Sequence, residues 1–326
     1  MSKLPELGSS LTRYLRTQKR QALRQAQSSA FVRSGIAIDA QDVAVVGGSL
    51  TVGNAGVLAQ GDNTAFGANS QSSLTTGTGD TAVGSNAQAV LTSGLFNTAI
   101  GAAAQETLTT GLSNTAVGRA AQCLLTTGAS NTAVGDSAQF SLTTGGSNTA
   151  VGPSAQQHVT TAFNNAAVGP SSQAALTTGE NNTAVGAFSQ SRLTTGSSNT
   201  AIGMGAQNDL YANPGKSTIT ASMQTSIGQD SGQSSATQVD GITTIGYSAR
   251  AGAANATGIG REARADHAGS IALGYQATTT QPNQVMVGPR DVEITDATKG
   301  IILVSPGGTR YRVTVTNAGA LVVTPA

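Results

Sequence analysis

Between residues 63 and 203 the apolar and polar positions fall into columns spaced 17 residues apart. The phrase Asn-Thr-Ala-Val-Gly recurs with its glycine at Gly67, Gly84, Gly101, Gly118, Gly135, Gly152, Gly169, Gly186 and Gly203. A glutamine column runs Gln71, Gln88, Gln105, Gln122, Gln139, Gln156, Gln173, Gln190 and Gln207. A leucine column follows at Leu74, Leu91, Leu108, Leu125, Leu142, Val159, Leu176, Leu193 and Leu210. Self-similarity at a fixed period predicts a stacked repeat, here a parallel β-solenoid. Thr-Ala-Val is small and β-branched, which suits a short strand. The segment from Gln to Leu-Thr-Thr-Gly reads as the second strand of each rung and its exit turn, with Ala162 and Asn213 as departures from the exit glycine.

Side chains alternate along a strand, so Val and Ala take opposite faces. The column Phe66, Val83, Ile100, Val117, Val134, Val151, Val168, Val185 and Ile202 is expected to line the coil. The column Ala65, Ala82, Ala99, Ala116, Ala133, Ala150, Ala167, Ala184 and Ala201 is then expected outside, small because another copy packs on it. Stacked Asn and Gln columns are expected to hydrogen-bond along the axis as ladders. At the rise of a parallel sheet, nine such rungs make a rod of about 43 Å.

The period fails over residues 204–224, where Asn213-Pro214-Gly215 signals a turn and the extra residues predict a loop insertion. It resumes over 225–288 with glycines at Gly228, Gly246, Gly260, Gly274 and Gly288, the last four 14 residues apart. Losing three residues while keeping the Gly and Ala landmarks implies a shortened loop and an intact rung. Residues 289–326 read as a small C-terminal β cap: Ile302 to Val304, a Pro306-Gly307-Gly308 turn, a strand from Tyr311 to Val315, an Asn317-Ala318-Gly319 turn and a last strand. Residues 35–62 alternate with period two (Ile36, Ile38, Val43, Val45, Leu50, Val52) and read as short strands covering the first rung. Residues 1–34 hold an N-terminal α-helix over 9–30, with Leu11, Leu15, Ala22, Leu23 and Ala26 on one stripe.

Composition narrows the chemistry. The chain has no Trp, 3% aromatic residues, 10% charged residues and 41 Gly in 326 residues, too little bulk for a thick core. Its net charge of +1 predicts no nucleic-acid field. The charge is uneven: residues 1–33 carry seven basic residues against one acidic, which marks the helix for attachment or a coiled coil. No secretory leader and no apolar run of membrane-spanning length is visible. His158 and His267 are the only histidines and Cys123 the only cysteine, with no metal-ligand spacing, so no metal and no cofactor is expected. His158 shares its register with Ser73, Val90, Thr107, Leu124, Ser141, Ala175, Arg192 and Asp209, the tolerance of a rim position. Glu106, Asp136, Glu180 and Asp209 fall on different rungs at different registers. Asp136 and Asp209 are about 20 Å apart, too far for the carboxylate pair of a glycan hydrolase. No catalytic residue is assigned, and an enzyme is not expected.

The stretch Gly260-Arg-Glu-Ala-Arg-Ala-Asp-His-Ala-Gly-Ser-Ile-Ala-Leu-Gly274-Tyr-Gln-Ala resembles the head repeat of YadA-like trimeric adhesins. The resemblance covers 225–288, extends in longer form over 63–203, and finds in Pro282-Asn-Gln-Val-Met-Val-Gly288 the rung that closes such heads. It implies a left-handed parallel β-roll and a homotrimer. The longer repeat is also similar to repeats of bacteriophage tail fibres, and residues 300–326 to the ends of phage minor tail proteins. With neither a leader nor a membrane-barrel anchor in view, the resemblance implies a structural virion protein. It would be made in the host cytoplasm, joined to other tail proteins by the basic helix, and presented to a host surface glycan or protein. A capsid head fibre, a bacterial adhesin fragment and a glycan depolymerase are the alternatives. No receptor-binding residue is assigned; the 204–224 loop and the C-terminal cap are the expected contact regions.

Overall fold

The computed structural model describes residues 51–52, 63–208, 219–235, 238–288, 301–305, 307–315 and 321–325. The expected helix at 9–30 and most of the 35–62 segment lie outside these residues. Thr51–Val52 is the exception: it pairs in parallel with Ala65 and Phe66. From there a 15-stranded parallel sheet runs to Val285–Val287 with its strands in sequence order. Each triplet stacks on its counterpart, as Thr98, Ala99 and Ile100 do on Thr115, Ala116 and Val117. The chain is a parallel β-solenoid, and no helix occurs among the described residues.

The two faces of these strands are the reverse of the expectation. Ala82, Ala99, Ala116, Ala133, Ala150, Ala167, Ala184 and Ala201 are fully buried, while Phe66, Ile100, Val134, Val151, Val168, Val185 and Ile202 are exposed. The reason is the width of the rung. Opposite the strand alanines stands a second small column, Ala87, Ala104, Ala121, Ala138 and Ala155, and both pack into one cluster. Two facing walls this close leave room for methyl groups only, so Val and Thr turn outward.

The glycine that ends each strand is required twice over. Gly186 has φ +128°, and a Cβ there would stand 2.6 Å from the carbonyl of Gly203 on the next rung.

In the long rungs the second segment is not a strand, again against expectation. It is a pair of turns in which the residue two after the glycine and the glutamine both adopt left-handed φ, as Ala120 (55°) and Gln122 (51°) do. A left-handed L-residue costs about 1–2 kcal/mol. Three hydrogen bonds offset it here: Ala120 N–H to the Ala102 carbonyl at 2.9 Å, Gln122 N–H to the Ala138 carbonyl at 2.9 Å, and Gln122 Nε2 to Gln139 Oε1 at 2.8 Å.

The amide ladders are present and fully buried. Gln88, Gln105, Gln122, Gln139, Gln156 and Gln173 each donate through Nε2 to the next Oε1 at 2.8–2.9 Å. The asparagines are tied more tightly. Asn114 donates its backbone N–H (3.0 Å) and Nδ2 (3.1 Å) to Asn97 Oδ1, and Nδ2 also to the Gly128 carbonyl at 2.7 Å. Both ladders end on Gln224. Its backbone N–H donates to Asn199 Oδ1 at 3.0 Å, its Oε1 accepts from Gln207 Nε2, and its Nε2 donates to the Val239 carbonyl at 2.7 Å.

The leucine column is buried from Leu91 to Leu193. Its expected continuation at Leu210, and the exit position at Asn213, lie outside the described residues. Ile219 enters the leucine cluster instead, and Ala221 takes the exit-glycine place, its carbonyl accepting from Asn199 Nδ2 at 3.0 Å. The strand Thr225–Ile227 pairs directly with Thr200–Ile202. Residues 204–208 and 219–224 therefore belong to the rung, and the inserted chain is narrower than 204–224.

In the short block the strand stack continues unbroken, as the spacing implied. Here the second segment is a strand: Gly232–Gln233, Arg250–Ala251 and Arg264–Ala265 form their own parallel sheet. Beyond one weak 3.5 Å bond from Gln224 Nε2 to Gln233 Oε1, neither ladder continues. The interior narrows to Ile242, Ala251, Ala256, Ala263, Ala265, Ala272 and Ala277.

Near the C-terminus, Ile301–Val304, Arg310–Val315 and Leu321–Pro325 form an antiparallel meander with the expected strands. Ile301, Leu303, Leu321 and Val323 are all more than half exposed. The register pairs Ile301 with Val313 and Val313 with Val323, and Leu303 with Tyr311, so these apolar residues share one face.

Candidate binding surfaces

The residues weighed for chemistry lie apart. His158 is an exposed rim residue. His267 is half-buried, with Nδ1 3.2 Å from Thr279 Oγ1. Cys123 is buried, and its Sγ lies 3.6 Å from Glu106 Oε2. Burial, then the Glu106 charge, pushes the thiol up to about 11, so almost no thiolate exists at neutral pH.

Glu106 also accepts from Asn86 Nδ2 at 3.4 Å. Asp136 pairs with exposed Arg119 at 2.8 Å, a contact of little energetic weight. Glu180 is exposed on a later rung, and Asp209 lies outside the described residues. Glu106, Asp136 and Glu180 lie on separate rungs and share no site with one another. No group of three or more His, Cys, Asp or Glu residues able to hold a metal occurs among the described residues, and no described helix is long and apolar enough to cross a membrane.

One acid sits inside the wall. Asp80 occupies the asparagine column and accepts from Asn97 N–H at 2.8 Å and Asn97 Nδ2 at 3.0 Å through Oδ1. Its Oδ2 is buried with no partner. On the other rungs that position is an Nδ2 donating to an exit-turn carbonyl, as Asn97 does to Gly111 at 2.8 Å. Burial raises the Asp80 pKa, against the lowering pull of the Asn97 bonds.

Among the described residues, the outward column of the strands forms a long apolar surface. Phe66, Ile100, Val134, Val151, Val168, Val185, Ile202, Ile245, Leu273 and Val287 are each exposed by 36–53%. Parallel sheets usually have both faces covered. This one covers its inner face with alanines and leaves an apolar stripe along the outer face. Sequence reasoning placed this column inside; its variation from Val to Ile to Phe, beside invariant alanine, was the available sign of a face with room.

A second feature went unnoticed in the sequence. The residues directly after the strand glycines include Tyr247, Arg261 and Tyr275 on consecutive short rungs. The Arg261 guanidinium carbon lies 5.8 Å from the Tyr247 ring centroid and 5.6 Å from that of Tyr275. Arg261 Nε donates to Glu262 Oε1 at 3.1 Å, and Gln276 Nε2 donates to Glu262 Oε2 at 2.7 Å. The Gln276 bond first, and then Arg261, hold the Glu262 carboxyl below its usual range.

No family model matches the chain, and no curated protein matches it. Among solved structures, the collagen-binding domain of the Yersinia adhesin YadA is similar at 18% identity. The match covers 69% of this chain and 75% of that one, with a TM-score of 0.18. The architecture stated above rests on strand pairing and burial and not on that likeness.

Proposed function

We propose that the chain is a non-catalytic, homotrimeric fibre of a phage tail, a left-handed roll that holds a binding surface away from the particle. In this reading it is made in the host cytoplasm and resides in the virion. The basic segment before residue 34 joins it to other tail proteins. The inserted loop and the C-terminal meander, acting as a cap, meet a glycan or protein of the host surface. The carrying observation is the outward apolar stripe, present on rung after rung and uncovered in a single chain. Uncovered apolar surface of this extent marks an interface.

Covering the exposed part of each stripe residue is worth on the order of 0.5–1 kcal/mol. Over ten rungs that comes to about 5–10 kcal/mol, within the range of the ~4–15 kcal/mol lost on association. In this reading the same association also covers the apolar face of the meander. Three identical chains joined in this way present every weak host contact three times, which raises avidity without a deep pocket.

Antibody-gold labelling of purified particles tests the placement. Label at the tail is the expected result. Label on the capsid would move the fibre to the head. Absence from particles with label on the bacterial surface would replace this reading by a surface adhesin.

A further inference from the structure

Tyr247 and Tyr275 are the only tyrosines on the solenoid among the described residues, and both occupy one column. Elsewhere the same column carries Ala68, Ser85, Ala102, Pro153, Pro170 and Ala187, so the stack does not need an aromatic there. Both rings are exposed. They stand two rungs apart, about 9.6 Å, with Arg261 between them. The Arg261 side chain is held at three points: two ring faces and the Nε bond to Glu262, which Gln276 holds in turn. Its terminal nitrogens have no partner among the described residues and are left to solvent. Each lies on the turn beyond its own strand, Thr243–Ile245, Thr257–Ile259 and Ile271–Leu273 in turn, so they border the apolar stripe without forming part of it.

An exposed cation–π contact alone stabilises by about 0.5–1 kcal/mol. That accounts for the stacking; it does not account for an arginine whose Nε is fixed while its terminal N–H groups have no partner among the described residues. A guanidinium so positioned matches a carboxylate, and the rotamer entropy of binding one is already reduced. Flanking rings two rungs apart match the apolar C–H faces of the first and third of three successive sugars. We propose that Tyr247, Arg261 and Tyr275 form a surface subsite for an acidic glycan, with sugar rings on the tyrosines and a sugar carboxylate on Arg261. The site deepens the host-attachment reading and rests on it for its biological setting.

The test uses the isolated full chain. Binding of oligogalacturonate and oligosialate is measured by calorimetry, against fully methyl-esterified oligogalacturonate as the neutral control. At least one acidic glycan should bind, and oligogalacturonate, if it is the one, at least tenfold more tightly than its ester. Arg261→Gln should lose tenfold or more. Arg261→Lys, which keeps the charge and loses the fork, should fall between. Tyr247→Ala and Tyr275→Ala should each weaken binding several-fold, with the thermal transition and sedimentation of all variants unchanged. No binding of either acid, equal binding of acid and ester, or wild-type binding by Arg261→Gln would overturn the proposal. Absence of the chain from phage particles would sink the tail reading and leave these affinities untouched.

Discussion

In the long block each rung closes around two amide columns and a leucine; in the short block it closes mainly around alanines, with Ile242 the one large apolar side chain fully buried among them. The outer strand is the same in both, down to its register. What differs is how the interior enforces stacking. A long rung placed out of register would strand buried amides, each costing about 1–3 kcal/mol. A short rung carries few buried polar groups and relies on glycine sterics and alanine packing. The long block is specified by polar satisfaction and the short block by shape. The joint falls at Gln224, where both ladders finish on one side chain.

The largest effect should come from reversing the inside and outside of one strand. Ala133→Arg places a guanidinium in a space sized for a methyl group and should cost more than about 4 kcal/mol, read as loss of the cooperative unfolding transition. Val134→Arg, one residue away, should change rung stability by less than about 0.5 kcal/mol while abolishing self-association. If Ala133→Arg folds normally and only association fails, the two columns are assigned the wrong way round.

Next comes the contrast between blocks. Asn131→Ala removes the acceptor for Asn148 N–H and Nδ2 and the donor to the Gly145 carbonyl. The expected loss is about 3 kcal/mol, seen as faster amide exchange in the adjoining rungs. Ser270→Ala in the short block removes a hydroxyl bonded to the His267 carbonyl and Thr279 and should cost about 1 kcal/mol. Equal losses would erase the distinction.

Asp80 is the one acid in the asparagine column, and it gives the long block a pH dependence. Its folded pKa is raised, so the folded state holds a proton more firmly than the unfolded chain does. That contribution is present in full below the unfolded value and is lost as pH rises through the folded value. Asp80→Asn restores the missing donor. It should add about 1 kcal/mol at pH 7, with the gain shrinking in denaturation curves taken toward acid. A gain independent of pH would argue against a proton at this site. The smallest effect concerns Cys123: with its thiol near 11, a thiol reagent at pH 7 should label it about 100-fold more slowly than a free cysteine, and denaturant should restore the ordinary rate.

Much of this was legible in the sequence. The period, the strand glycines, the amide ladders and the unbroken stack across the change of period all follow from columns of like residues, and the meander strands from alternation between turn signals. Two expectations failed: the second segment of the long rungs is a pair of turns and not a strand, and the opposite column faces in. Invariant alanine was read as a surface pressed by a partner. The second small column, from Ser70 through Ala87 and Ala104 to Ala206, held the correction: two small columns of equal regularity face each other. The left-handed glutamines left no sequence signal, because glutamine has no preference for that conformation and adopts it only where the ladder compensates. The narrowing of the insertion was hidden because Ile219 and Ala221 fill the rung with residues unlike those they replace.

The central claim is that valine and its equivalents form the outer, mating face. Sedimentation equilibrium of the full chain beside Val134→Arg tests it most directly. The claim predicts three times the 32.3 kDa chain mass for the native protein and a single chain mass for the variant. A monomeric native protein, or a variant that assembles as the native one does, would contradict it.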